Sequence, residues 1–309
     1  MSVTTQKRAT SVNALVPPKT PRLDKPRVSG ISLPLLLPGL ALLAVFFVYP
    51  VAYSIYLGFT NLQLIGLHSI HYKFTGLKNV IFLLNDSQFW HSTWLTLVFV
   101  VGSGAIGTTV LGFMISLALQ QASHAVRLVV NGIVIIAWTL PPASIAIIWY
   151  AASTQGGIFA ELFFAPHSNY LYDHAMLVVC IANSWSLTGL ACIIFSAALK
   201  NVPEEMMEAA KLEDASSLQR LIHIVLPVLE PTILTSALLM TLLSFGNFTL
   251  IYLMTQGGPN GDSNILPVYS YLEGFQFQQL GYAALLGNVI VLMSGVLGVA
   301  YVWMAKSRH

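Results

Sequence analysis

Charge is what this 309-residue chain has least of. Lys and Arg number 14 and Asp and Glu 12, so 8% of the residues are charged. A soluble domain carries about 25%. Set beside 56% hydrophobic residues, that shortage excludes a water-soluble enzyme. A net charge of +2 without a basic stripe excludes a nucleic-acid binder, because no footprint for phosphates exists. Cysteine is nearly absent. Cys180 and Cys192 share one apolar run and stand about 18 Å apart along a helix, too far for a disulfide. They read as small hydrophobes. The chain has no G-x-x-x-x-G-K-[ST] and no H-E-x-x-H, so it has no P-loop with which to hydrolyse ATP.

What remains is long apolar runs. Val28–Tyr72, Ser87–Val126, Leu128–Ala160, His174–Leu199, Pro231–Gly261 and Gly274–Ala305 contain no Asp, Glu, Lys or Arg. Each exceeds the about 20 residues that cross a bilayer core. The expected spans are 33–57, 94–118, 129–151, 175–198, 232–254 and 282–304. The fold class is therefore all-α integral membrane with six transmembrane helices. The first run is too long for a typical signal-peptide core and is read as a retained anchor. Basic residues set the orientation. The N-terminal tail, the loop after span two, the segment after span four and the C-terminus hold 12 of them, and the other loops only Lys73 and Lys78. Both termini are expected in the cytoplasm.

The expected organisation is a disordered basic tail at 1–30 near anionic lipid, a first transmembrane helix at 31–59, an external loop at 60–93, a five-helix core at 94–304 and a short tail at 305–309. Gly102-Ser-Gly104-Ala-Ile-Gly107 matches G-x-G-x-x-G. It lies inside an apolar span, so helix–helix approach explains it better than a dinucleotide. His68 and His71 have no clear third ligand in their loop, so no metal site is expected. Proton-coupled carriers place acids or charge pairs at mid-membrane depth. None is present here, which points to energy arriving from another subunit.

Lys200–Glu230 holds nine of the 26 formal charges. Pro203 followed by Glu204 and Glu205 suits a helix start. Met206, Met207, Ala209, Ala210 and Leu212 add an apolar surface, and Glu208 sits four residues after Glu204 and three after Glu205. An acidic ridge beside Met and Ala fits a groove with basic residues. An interfacial connector lying on the membrane is the alternative.

The register of this segment is specific. Glu208-Ala209-Ala210 is followed after three residues by Asp214, and nine residues later come Ile224, Leu226 and Pro227. This resembles EAA-x3-G-x9-I-x-L-P, the EAA loop of the permease subunits of binding-protein-dependent ABC importers. The family's glycine is Asp214 here, and Asp tolerates the left-handed conformation better than most residues. Thr139-Leu-Pro141-Pro142, Ile148-Trp149, Thr255-Gln-Gly257-Gly258-Pro259, Tyr271, Phe275 and Gly281-Tyr282-Ala283-Ala284 resemble the carbohydrate branch, the maltose and glycerol-3-phosphate permeases. The resemblance covers about 94–304. It implies the type I importer fold and a multi-pass protein of a prokaryotic cell membrane. The implied partners are a second homologous permease, two cytoplasmic ATPases and an external solute-binding protein. No cofactor is then bound by this chain, and ATP and magnesium sit in the ATPases. The implied coupling residues are Glu204, Glu205, Met207, Glu208, Ala209, Ala210, Leu212, Asp214, Leu226 and Pro227, with Glu208 the central anchor.

Sugars are held by amides, hydroxyls and aromatic faces. Candidates within the spans are Asn183, Trp185, Ser244, Asn247, Phe248, Tyr252 and Asn288. The same residue types also serve as helix–helix hydrogen-bond partners and interfacial anchors. The function expected is half of the translocation pathway for a sugar or sugar-like solute. The alternatives are a stand-alone six-span channel or secondary carrier, and an intramembrane enzyme, for which no catalytic pair is visible.

Overall fold

A computed structural model describes residues 32–165 and 167–306. The tail at 1–30 and the last three residues of the 305–309 tail lie outside them. The chain divides into two compact units, Met1–Pro50 and Val51–His309. In the first, the described side chains from Leu36 on are exposed, Phe46 at 68% and Phe47 at 67%. A helical surface so apolar suits lipid.

The described residues are almost wholly helical, with one isolated bridge between Thr60 and Phe74. Five helices are long and apolar enough to cross a membrane: α1 (Leu36–Gly58), α3 (Ser87–Gln120), α6 (Ala175–Asn201), α8 (Ser217–Phe245) and α11 (Leu280–Lys306). Between them lie α2 (Lys78–Asn85), the bent pair α4 (His124–Thr139) and α5 (Pro142–Ser153), α7 (Glu204–Leu212), α9 (Phe248–Thr255) and α10 (Leu266–Tyr271). Counted as one crossing, the bent pair makes six. α6 sits at the centre and packs on α3, α4 and α8, while α9 packs on α5 and α11 on α8 and α10.

Three expected spans differ from the structure. The run expected as one helix at 129–151 turns by 106° between α4 and α5. Leu140 precedes a proline and is extended (ψ 139°), and Pro141 follows at ψ 140°. The proline ring clashes with a helical residue before it, and Pro142 then suits the first turn of the next helix. The run expected at 232–254 begins at Ser217 and stops at Phe245. Asn247 leaves helical geometry at φ −88°, ψ 48°, and α9 starts afresh at Phe248. α8 passes through Pro231 and a wider π-helical stretch at Leu221–Val225, the kind of adjustment that absorbs a missing N–H in membrane helices. α3 begins at Ser87, seven residues before the expected 94, because Asp86 caps it by accepting from the Gln88 N–H at 2.9 Å.

Small residues set the helix spacing. A Cβ at Gly104 would come within 2.8 Å of the Met240 carbonyl, and one at Gly107 would strike Ser184. The G-x-G-x-x-G stretch thus lets α3 approach α6 and α8. Gly112 lies as closely on Ala191, and Gly189 on the Val134 carbonyl and Trp138. Gly189→Ala should therefore destabilise the protein by about 1–3 kcal/mol through overpacking. Gly132→Ala, whose added Cβ meets nothing within 4 Å, should not. Thermal unfolding of the two variants in one detergent checks the contrast.

Candidate functional site

Two regions hold the residues singled out above. The first is the segment between α6 and α8. A short 3-10 turn at Leu199–Asn201 ends α6, and Pro203 (φ −62°) opens α7 with Glu204 and Glu205 in its first turn. No residue of α7 is buried. Met207 packs against a cluster of Ala198, Leu199, Val225 and Leu229, and Ala210 is half-buried beside it. Glu205, Glu208, Ala209 and Leu212 are exposed, Leu212 at 87%. Their i, i+3, i+4, i+7 spacing places them on one face. Glu204 is exposed as well, and lines a cleft of about 550 Å³ with Lys200, Met207 and Arg220. α7 is thus a rod fixed to its own chain by one stripe, with an acidic and apolar face turned outward.

Asp214 occupies the left-handed conformation at φ 55°. The Ala215 N–H donates to the Ala210 carbonyl at 2.9 Å and the Asp214 N–H to the Lys211 carbonyl at 3.1 Å. These are the two bonds of a Schellman end, with Asp where glycine is usual. The turn implied for the family's glycine is therefore made without one. Ser216 then starts α8 through a capping box: the Gln219 N–H donates to Ser216 Oγ at 3.3 Å and the Ser216 N–H to Gln219 Oε1 at 2.7 Å. The second half of the expected 200–230 loop is consequently the first turns of α8. Leu226 is half-buried and Pro227 exposed on that helix.

The second region lies around the α8–α9 break. Asn183 is fully buried. Its Nδ2 donates to Ser103 Oγ at 2.8 Å and Ser244 Oγ at 2.9 Å, and its Oδ1 accepts from Asn247 Nδ2 at 2.7 Å. Ser103 and Ser244 pass their own protons to the Phe99 and Met240 carbonyls. Asn183 and Ser244 therefore join helices and have no surface for a solute. Asn288 is likewise engaged: its Oδ1 accepts from Ser54 Oγ at 3.0 Å and its Nδ2 donates to the Ser54 carbonyl at 3.1 Å. Trp185 packs near Trp149, with centroids 6.1 Å apart, against the same apolar cluster that Phe248 and Tyr252 of α9 meet.

Those rings form a group. Phe248 stacks on Tyr252 at 5.1 Å, Tyr271 meets both at 5.2 and 4.8 Å, and Phe275 follows at 5.0 Å from Tyr271. An open cleft of about 500 Å³ runs beside Phe248, Tyr271 and Phe275. Asn247, the residue before Phe248, is half-buried. Tyr271 and Phe275 were noticed only as parts of a motif, since nothing in their spacing shows that α10 brings them to α9.

Sequence reasoning missed a carboxylate on the side away from α7. Asp86 Oδ2 accepts from Tyr269 Oη at 2.5 Å and Tyr282 Oη at 2.7 Å. Glu273 is half-buried near it. Burial, with a contribution from Asp86, pushes its carboxyl above the ordinary glutamate range, although a bond to Tyr269 opposes this. Among the described residues no group of three or more His, Cys, Asp or Glu could hold a metal ion.

The sequence pattern of the family described as "Binding-protein-dependent transport system inner membrane component" matches residues 108–308. The sulfoquinovosyl glycerol transport system permease protein of Agrobacterium fabrum is 26% identical over 89% of this chain and 90% of its own length. The sn-glycerol-3-phosphate transport system permease protein of Yersinia enterocolitica is 28% identical over 87% and 90%. The trehalose/maltose transport system permease protein of Thermococcus litoralis is 29% identical over 74% and 77%. The fold is shared with a chain in the crystal structure of a bacterial ABC transporter involved in the import of the acidic polysaccharide alginate, at a TM-score of 0.69 and 17% identity over 90% of this chain and 95% of that one.

Two outcomes follow from these geometries. Asp214→Gly should relieve the left-handed strain and raise stability by about 1 kcal/mol, whereas Asp214→Val should lower it. Thermal unfolding midpoints of the two variants check the sign. Glu273 has its carboxyl raised in the folded state, so its contribution to stability is present at low pH and is lost as pH rises through the raised value. Glu273→Gln should then be more stable than the parent near neutral pH, with the gap closing on acidification. Paired unfolding curves across pH test this.

Proposed function

We propose a specific role on one premise: the chain belongs to the family of inner membrane components of binding-protein-dependent transport systems and is a permease subunit, one half of an ABC importer's translocation pathway. The role is the import of a sugar or sugar-like solute. Relatives across three organisms support this, since their names concern sulfoquinovosyl glycerol, glycerol-3-phosphate and trehalose or maltose. A stand-alone channel or secondary carrier has no observation in its favour: the six apolar runs of the sequence hold no Asp, Glu, Lys or Arg to couple to a gradient.

The observation that carries the mechanism is α7. Its outward face of Glu205, Glu208, Ala209 and Leu212 has no partner among the described residues, while Met207 ties it to the foot of α6 and α8. Nucleotide chemistry belongs to two ATPase subunits, which hold ATP and magnesium. Their closure moves α7, and the short Schellman turn at Asp214 passes that motion into α8 with little slack. Because α8 is tied to α3 and α6 through Asn183, the core moves as a unit against a second, homologous permease. This alternates access between an external solute-binding protein and the cell interior. Glu208 is the central anchor of the contact with the ATPase.

Within the pathway, the ring group of Phe248, Tyr252, Tyr271 and Phe275 is the sugar-facing surface, because aromatic faces stack on the C–H faces of a pyranose and tolerate water at their edges. Asn247 supplies an amide at the rim. Asn183, Ser244 and Asn288 hold the frame behind it. Trp185, paired with Trp149, supports α5 against α6.

Glu208→Lys should abolish uptake and release the ATPase during purification of the complex, because a cation would then face a basic groove. Uptake and co-purification at parental levels would remove this role. Phe248→Ala and Tyr252→Ala should each weaken uptake by roughly tenfold, as loss of one stacking face costs about 1–3 kcal/mol, with assembly unchanged. Transport assays on the reconstituted complex measure this.

A further inference from the structure

A second set of polar groups lies on the α7 side of the molecule and takes no part in the pathway. A cavity of about 260 Å³ opens between the end of α3 and the starts and ends of its neighbours, lined by Ser116, Leu119, Gln120, Arg127, Asn131, Ser196 and Lys200. Two of these are cations and none is an acid. Neither Arg127 nor Lys200 has a carboxylate partner among the described residues. In a chain with so few charges, two unpaired cations at one cavity need an account.

Arg127 is held in place. Its Nε donates to the Leu119 carbonyl at 3.1 Å and its Nη2 to the Gln120 carbonyl at 3.2 Å, so it caps the α3 end and cancels the negative end of that helix dipole. Its Nη1 makes no bond to the chain. Arg127 also stands in the first turn of α4, where the dipole is positive and Ser123 caps the start. Lys200 is exposed and makes no hydrogen bond among the described residues. The Asn131 amide is half-buried in the wall with none either. Ser196 Oγ donates to Ser116 Oγ at 3.3 Å, and Ser116 Oγ to the Cys192 carbonyl at 3.2 Å, so both hydroxyls are engaged. Two cations and an amide around one cavity form the donor set of a phosphate site. An apolar stripe leads away from it along α4: Val126 is 50% exposed, Val129 59% and Ile133 59%, at helical spacing on one face.

We propose that this cavity binds the phosphodiester of an anionic phospholipid in the leaflet on the basic-flanked side. Arg127 Nη1 and Lys200 Nζ hold the phosphate, Asn131 bonds its oxygens, and the acyl chains lie along Val126, Val129 and Ile133. A soluble phosphate would satisfy the same donors, but it would have no use for the stripe. A zwitterionic lipid presents the same phosphodiester with an amine that the two cations repel. The bound lipid wedges the α3–α4 corner against α6, one turn from where α7 begins.

Native mass spectrometry of the full chain in detergent, titrated with phosphatidylglycerol or phosphatidylcholine, tests the assignment. The parent should retain phosphatidylglycerol at least about tenfold better than phosphatidylcholine, and Lys200→Gln should cut that retention by about tenfold, the loss of one charge-assisted bond. Arg127→Gln should do the same. Lys200→Gln is the cleaner variant, because Lys200 bonds nothing in the chain and its loss leaves folding intact. Millimolar inorganic phosphate should not displace the lipid. Equal retention of the two lipids, retention unchanged in Lys200→Gln, or displacement by inorganic phosphate with the same Lys200 dependence would each overturn the proposal.

Discussion

One buried amide organises the membrane-embedded part of this protein. Asn183 on α6 bonds Ser103 on α3, Ser244 on α8 and Asn247 at the break that follows. Its surroundings are apolar, so each of these groups would lose about 1–3 kcal/mol if left without its partner. No charged side chain takes part in this network, and neutral amides and hydroxyls are its fasteners. The donors of Asn183, Ser103 and Ser244 are all satisfied, the two hydroxyls by backbone carbonyls. Close approach of the helices at Gly104, Gly107, Gly112 and Gly189 makes these bonds geometrically possible, because larger residues would hold the backbones apart.

A core fastened in this way has mechanical consequences. It resists internal shear, so a push delivered at one edge moves α3, α6 and α8 together. The edge where a push can enter is α7, which is exposed along its outer face and joined to α8 by a turn of only a few residues. Asp214 makes that turn in a strained conformation for a non-glycine residue, and two backbone bonds hold it there. The ring group of Phe248, Tyr252, Tyr271 and Phe275 sits at the other end of α8, beyond the break at Gly246 and Asn247. In the proposed function, force and solute thus meet opposite ends of one helix.

Much of this was legible in the residues. Charge-free runs marked the spans, because ions are costly in lipid and their absence is conspicuous over 20 or more positions. The acidic rod and the left-handed role of Asp214 followed from the register around Glu208. The breaks were harder. Pro141-Pro142 was visible, but hydropathy carries no direction, so the 106° turn was hidden inside one apolar run. The break at Asn247 contains no proline, and its cause is tertiary: the amide reaches back to Asn183. Arg220, Pro227 and Glu230 kept 217–230 out of the expected span, whereas the capping box at Ser216 and the π-helical stretch let a helix pass through. The site was less legible than the fold. A buried Asn and a solute-facing Asn have identical neighbours in sequence, and only packing distinguishes Asn183 and Asn288 from the rim. Tyr271 and Phe275 reach α9 through α10, and Asp86 meets Tyr269 and Tyr282 across about 190 positions of chain, separations that local pattern cannot bridge.

The central claim is that α7 receives force from a nucleotide-hydrolysing partner. Its most direct test places a single cysteine at position 208, as Glu208→Cys in a chain with Cys180→Ala and Cys192→Ala, and follows modification by a membrane-impermeant thiol reagent. The account predicts rapid modification in inside-out vesicles, none in right-side-out vesicles, and protection when the ATPase subunits are bound. Modification from the outer face, or a rate indifferent to the ATPase, would contradict it.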